Sequence, residues 1–179
     1  MKMDFSAQLT KIISAGVDYI YTQGSYADAA RIIQQARELD YTGRIGLGGA
    51  SYDQGLIDLA GDLAEGCTAI AHIDPEQPEA LELAERFREA SGGKELSAHS
   101  YMAYDCAWHV MQALDAVGPD KEALIAYLRN DKNAQGTFGT VEYTDGNPVA
   151  PVFPVVIKDG KFTTLELEHV TLEDLRVPF

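Results

Sequence analysis

Cations are scarce in this chain of 179 residues: 14 lysines and arginines stand against 28 aspartates and glutamates, a formal net charge of -14 at pH 7. So acidic a chain has no basic surface with which to displace counterions from a phosphate backbone, which excludes nucleic acid as a partner. For the same reason it has nothing with which to dock on anionic lipid. The excess of carboxylates reads as a solvated acidic surface. Cysteine is rare as well. Cys67 and Cys106 are the two present, without a CxxC pair or any Cys/His spacing suited to zinc. Both are expected to be buried as small hydrophobes, with a structural disulfide as the lesser alternative.

Other absences narrow the chemistry. No apolar run approaches the length that spans a bilayer. The opening Met1-Lys2-Met3-Asp4-Phe5 lacks the apolar core of a secretory signal, which leaves a cytoplasmic protein or a processed one as the expectation. A dinucleotide fingerprint is missing, because Gly46-Leu47-Gly48 is followed by Ser51 where the third glycine belongs. There is no phosphate-binding P-loop and no GxSxG elbow. No internal repeat or low-complexity tract appears. Neither a cofactor nor a metal is expected.

What is present is an ordinary globular composition, 46% apolar and 23% charged, in a length that suits one domain and part of a second. Helix and strand patterns alternate from the start. Phe5, Leu9, Ile12 and Ile13 share a helical face that Asp4 or Ser6 can cap, and Val17 to Tyr21 reads as a buried parallel strand. A helix from Tyr26 carries Ala29, Ile32, Ile33, Ala36 and Leu39 at helical spacing, and Arg44 to Leu47 is a second strand. Leu56 to Leu63 predicts a short helix, Gly66 to Ile73 a strand, and Pro78 opens a helix with Leu81, Leu83, Ala84 and Phe87. Ser91-Gly92-Gly93 marks a boundary. Ala98 to Val117 is the longest helix, with Tyr101, Tyr104, Trp108, Met111 and Leu114 repeating at helical intervals, and Lys121 to Leu128 another. Beyond Gly136 the pattern turns to strands at 138–143, 152–158 and 161–165, with turns at Asp145-Gly146-Asn147 and Asp159-Gly160. The fold class is α/β, a flavodoxin-like parallel sheet with flanking helices.

In such a sheet, ligands bind beyond the carboxyl ends of the strands, where helix amino termini point. Two loops occupy that place. Gln23, Gly24, Ser25 and Tyr26 offer backbone amides, a hydroxyl and an aromatic face. The second loop runs from Gly48 to Asp53, in which Gly49, Ala50, Tyr52 and Asp53 are the candidates, the last two able to meet an aromatic or cationic group. No catalytic residue is assigned. Asp105, Cys106 and His109 suggest a nucleophile and base, but their place beside Trp108 and Met111 on an apolar helix favours core packing. His72, His99 and His169 have no partner at metal spacing, and Glu79, Glu82 and Glu85 form a solvated helix face.

The order of pieces carries a resemblance. Asp4-Phe5-Ser6-Ala7-Gln8-Leu9 precedes the strand Val17-Asp18-Tyr19-Ile20-Tyr21, then come Gly24 and Gln35-Ala36-Arg37-Glu38-Leu39. Ala64-Glu65-Gly66, Tyr104-Asp105-Cys106-Ala107, Gly136-Thr137-Phe138-Gly139 and Asp145-Gly146 follow. This succession resembles the leucine/isoleucine/valine-binding protein family, the type I periplasmic solute receptors of ABC transporters for branched-chain and related amino acids. The resemblance implies a two-lobed receptor of which this chain is the carboxy-terminal part. Residues 1–94 would form the second half of one ligand-binding lobe, 95–134 a helical piece of the other, and 135–179 the hinge crossover and terminal strands.

It also implies a small-molecule ligand, a transporter permease as partner, an extracytoplasmic location for the full-length form, and a missing amino-terminal lobe or a second copy beside this chain. The ligand-facing turn maps to Gly24, Ser25 and Tyr26. The loop that in several relatives carries a glutamate for the ligand's ammonium maps to Gly48-Gly49-Ala50, where Asp53 stands several residues out of register. The expected function is therefore capture of an amino acid, amide or related small acid, without catalysis. The alternatives are a cytoplasmic half-receptor that senses a ligand or self-associates, and an enzyme using Cys106, His109 or Asp53.

Overall fold

The computed structural model describes residues 4–131, 134–136, 139–149 and 152–165. His169, Thr137 and Phe138 lie outside the described residues. Three βα steps open the chain. Helix α1 (Ser6–Ser14) leads to strand β1 (Tyr19–Thr22), α2 (Tyr26–Glu38) to β2 (Arg44–Leu47), and α3 (Gln54–Ala60) to β3 (Thr68–Ala71). Then come α4 (Pro78–Ser91), α5 (Ala98–Val117) and α6 (Lys121–Asn130). Strands β4 (Ala134–Gly136), β5 (Gly139–Thr144), β6 (Asn147–Val149), β7 (Phe153–Lys158) and β8 (Lys161–Thr164) complete the order.

The main sheet runs β1-β2-β3-β7-β8. β1, β2 and β3 are parallel, as the βα alternation requires, while β7 joins β3 antiparallel and pairs with β8. The late strands thus return to the early sheet: Val155 and Ile157 of β7 enter the same core as Ile20, Ile45 and Leu47. A second sheet holds β4, β5 and β6. Both terminal hairpins turn on two residues with positive φ, Asp145 and Gly146 at 50° and 79°, Asp159 and Gly160 at 52° and 70°. Those angles are the tight turn that matches strand twist, and aspartate tolerates them better than most residues.

Local signals end the helices. Ser25 caps α2 by accepting from the Asp28 amide at 3.3 Å, and Asp120 caps α6 through the Ala123 amide at 2.8 Å. Ser97 and Ser100 exchange side-chain and backbone hydrogen bonds at the start of α5, a capping box built from two serines. In α1 the N-cap position is Phe5, so neither Asp4 nor Ser6 caps the helix by its side chain; the Asp4 carboxylate accepts from the Ser6 amide at 2.9 Å one residue ahead of the cap.

Four expectations are corrected. β1 is an edge strand, not a buried one: Ile20 faces the core and Tyr19 and Tyr21 are half exposed. The aromatic and aliphatic stripe of α5 points outward: Tyr104, Trp108, Met111 and Leu114 are each 40% exposed or more, while Tyr101, Asp105, His109 and Ala113 lie inside. Cys106 is consequently exposed and only Cys67 is buried. Core packing therefore holds for His109 and Asp105 but not for Cys106. Finally, β4 and β6 are strands that the sequence reading leaves as loop, being three residues each and too short to show alternation.

Candidate functional site

The carboxyl ends of β1, β2 and β3 lie side by side, and the three loops that leave them converge. The Gly48 amide extends the ladder to the Thr22 carbonyl at 2.9 Å, which places the second loop against the first. A Cβ on Gly48 would meet the Gln23 side chain at 3.1 Å, and one on Gly55 would meet the Tyr26 ring at 2.7 Å. Ser51, fully buried, donates its hydroxyl to the Gly24 carbonyl at 3.1 Å. Two turns separated by 27 residues are thereby tied into one rim.

The third loop adds a residue that sequence reasoning passed over. His72 follows β3, and a Cβ on Gly49 would stand 3.3 Å from its Nε2 and 3.2 Å from the Ile70 carbonyl. Only a glycine leaves that space open without pressing on the imidazole. The signal for His72 was in the sequence: it stands after the third parallel strand, as Gln23 and Gly48 stand after the first two.

The eight candidate residues divide by exposure. Gln23, Ser25 and Tyr26 are exposed and Gly24, Gly49, Ala50 and Asp53 half-buried, so seven of the eight reach the surface, six of them at the rim. The Tyr21 hydroxyl donates to Gln23 Oε1 at 3.0 Å and steadies that amide. Ser25 is engaged by α2, its hydroxyl donating to Asp28 Oδ2 at 2.8 Å. Tyr52 turns inward and is buried, its ring 4.6 Å from that of Phe162, and burial holds its phenol well above the ordinary range. Asp53 caps α3 by accepting from the Gly55 amide at 2.8 Å. Its side also lines a hollow with Glu95, Tyr101 and Lys161, away from Gln23.

Among the described residues no group of three or more His, Cys, Asp or Glu is placed to hold a metal, and no helix is long and apolar enough to cross a membrane. The site is thus a rim of amides, small residues and one aromatic ring. A periplasmic binding protein model matches residues 2–161. The chain belongs to the periplasmic binding protein family.

The Leu/Ile/Val-binding protein homolog 1 of Brucella suis is 29% identical over 171 residues, covering 91% of this chain and 45% of that protein. The Leu/Ile/Val-binding protein homolog 2 of Brucella abortus is 30% identical over 139 residues, 77% of this chain and 36% of its own length. Among solved structures, the leucine binding protein LivK of Thermotoga maritima superposes with a TM-score of 0.81 at 30% identity, covering 92% of this chain and 48% of that one. The chain spans about half the length of the family members it matches.

Proposed function

We propose that this chain supplies one side of the cleft of a solute receptor, which captures a small polar solute (an amino acid, an amide or a related small acid) for an ABC importer and catalyses nothing. The observation that carries this reading is the tie between Ser51 and Gly24, which joins the loops after β1 and β2 into one rim where ligands of parallel sheets bind. Gln23, Gly24, Ser25, Tyr26, Gly49 and Ala50 are the residues assigned to the solute. Tyr52 and Asp53 hold the second loop from behind. With glycine at position 49 and Asp53 turned to its helix, no carboxylate in this loop is assigned to a ligand ammonium, so amides and small acids stand beside amino acids.

The remaining assignments rest on the family. Residues 1–94 form part of one lobe, 95–134 a helical piece of the other, and 135–179 the crossover strands. A transporter permease selects the closed form, and the full-length receptor works outside the cytoplasm. A second reading, a cytoplasmic half-receptor that senses a ligand or pairs with its own copy, is favoured by the outward apolar stripe of α5, where Tyr104, Trp108, Met111 and Leu114 form a face of the kind that marks an interface.

The test is thermal unfolding of the purified chain against a panel of amino acids, amides and small acids. A ligand at a hundredfold excess over its Kd adds about 2.7 kcal/mol and moves the midpoint by several degrees. The Tyr26→Ala variant should unfold normally without ligand and lose that shift. A panel that leaves the midpoint unmoved at every concentration would sink the proposal for this chain.

A further inference from the structure

On the reading of the strand-end rim as a solute site, we infer that His72 selects its solute, a small monocarboxylic acid with an apolar body, whose carboxylate meets the His72 imidazole. His72 is half-buried, and among the described residues its imidazole makes no hydrogen bond. Gly49, already assigned to the solute, keeps the imidazole uncovered, because a Cβ there would stand 3.3 Å from Nε2. His72 also lines a hollow of about 320 Å³ together with Met102, Val141, Tyr143, Pro148 and Val152. The imidazole is thus common to the polar rim and to a mostly apolar space at the small end of ligand pockets. One solute with a polar head and an apolar body uses both.

The head group follows from the donors and acceptors at hand. An imidazole offers at least one N–H donor in either protonation state. Its hydrogen bond to a carboxylate is charge-assisted and about twice as strong as one to a neutral carbonyl, so an acid outbinds the matching amide. The carboxylates around the rim are held by their own turns. Asp53 accepts from the Gly55 amide at 2.8 Å, Asp28 from the Ser25 hydroxyl at 2.8 Å, and Asp74 from the Glu76 amide at 3.0 Å. None of the three is assigned to a ligand ammonium, and an ammonium drawn in without a partner costs free energy. Asp105 shares the hollow but turns its carboxylate to Gly136, where a Cβ would stand 2.5 Å from Oδ2. His109, whose Nε2 is buried without a partner among the described residues, is covered and takes no part. The net charge of -14 opposes any anion, but exposed charges more than about 10 Å away are screened at 0.1 M salt.

The probe is isocaproate, which is leucine without its ammonium, with isocaproamide and leucine as its counterparts. Each is titrated into the full chain while histidine Cε1–Hε1 and backbone amide signals are followed by NMR. The signal that His72→Gln removes should move and saturate with the acid, while that of exposed His99 stays. The amide should bind the unaltered chain about tenfold more weakly, and leucine no more tightly than the acid. His72→Phe should bind acid and amide alike. His72→Gln keeps a donor and should fall between. Met102→Trp, at a position 42% exposed, fills the hollow and should weaken acid and amide together. The comparison on the unaltered chain decides the matter even where a variant fails to fold. Acid and amide bound equally, or an acid that moves the Gln23 and Gly24 amides and leaves the His72 signal still, would overturn the inference while the rim remains a solute site. A chain that binds none of the three, nor any member of the thermal panel, would remove the rim as a solute site and this inference with it.

Discussion

The Ser51 hydroxyl donates to the Gly24 carbonyl at 3.1 Å, joining the loop after β2 to the loop after β1. Ser51 is fully buried, so its replacement by alanine leaves the Gly24 carbonyl short of a partner. Ser51→Ala is expected to cost about 1 kcal/mol in urea unfolding with an unchanged slope. It should also weaken any solute found in the thermal screen, because the two halves of the rim are no longer held in register. A variant that loses stability but keeps full affinity would show that the tie serves the fold alone.

Ile33 and Leu81 look alike in the sequence, each an aliphatic residue on an amphipathic helix. Ile33 is 0% exposed and Leu81 57%. Ile33→Ala should therefore cost about 3 kcal/mol, within the range for emptied core sites. Leu81→Ala should stay within about 0.5 kcal/mol of the parent. Equal effects in a denaturant titration would contradict the placement of α2 and α4.

Thiol chemistry separates the two cysteines. Cys106 is exposed and should react with a thiol reagent in the native protein, whereas Cys67 should react only after unfolding. The expected count is one equivalent before denaturant and two after. Two equivalents in the native state would place Cys67 at the surface.

Burial also fixes the sign of the alkaline response. It pushes the Cys67 thiol from its ordinary 9.0 up to about 11, and holds the phenols of Tyr52, Tyr101 and Tyr143 above theirs. In each case the unfolded chain gives up its proton at lower pH than the folded one. Their contribution is therefore complete below the unfolded values and is lost as pH rises through the folded ones. Stability should fall from about pH 9 upward, and Cys67→Ala should flatten the early part of that fall. A midpoint that rises between pH 9 and 11 would reverse the assignment.

Trp108 is the sole tryptophan and stands 41% exposed beside Met111 at 49%. If this face pairs two copies, sedimentation should report concentration-dependent association, and Trp108→Glu with Met111→Glu should restore a monomer. Cooperative unfolding of that double variant would show that the fold survives. A parent that stays monomeric across a wide concentration range would remove the self-associating reading.

Much of the architecture was legible in local pattern. The span of α5 and the strand Arg44–Leu47 follow from periodicity and from their flanking turn residues. Asp145-Gly146 and Asp159-Gly160 announce their hairpins, because few other residue pairs accept two consecutive positive φ values. The rim loops were legible too, since a loop after a parallel strand has a known place. His72 could have been placed by the same reasoning. The unpartnered nitrogen of His109 could not, because nothing in residues 105–109 tells which side of the helix meets β4 and β5.

The sequence by itself determined the order of the helices and of the strands longer than three residues, their turns, and the acidic surface, because each depends on residues within one or two turns of chain. The tertiary structure alone decided that β7 returns to pair with β3, that β1 stands at the edge, and that α5 buries Asp105 and His109 while showing Trp108 and Met111. A periodic stripe says that a helix has two faces. Which face is covered is settled by the surfaces that distant segments bring to it.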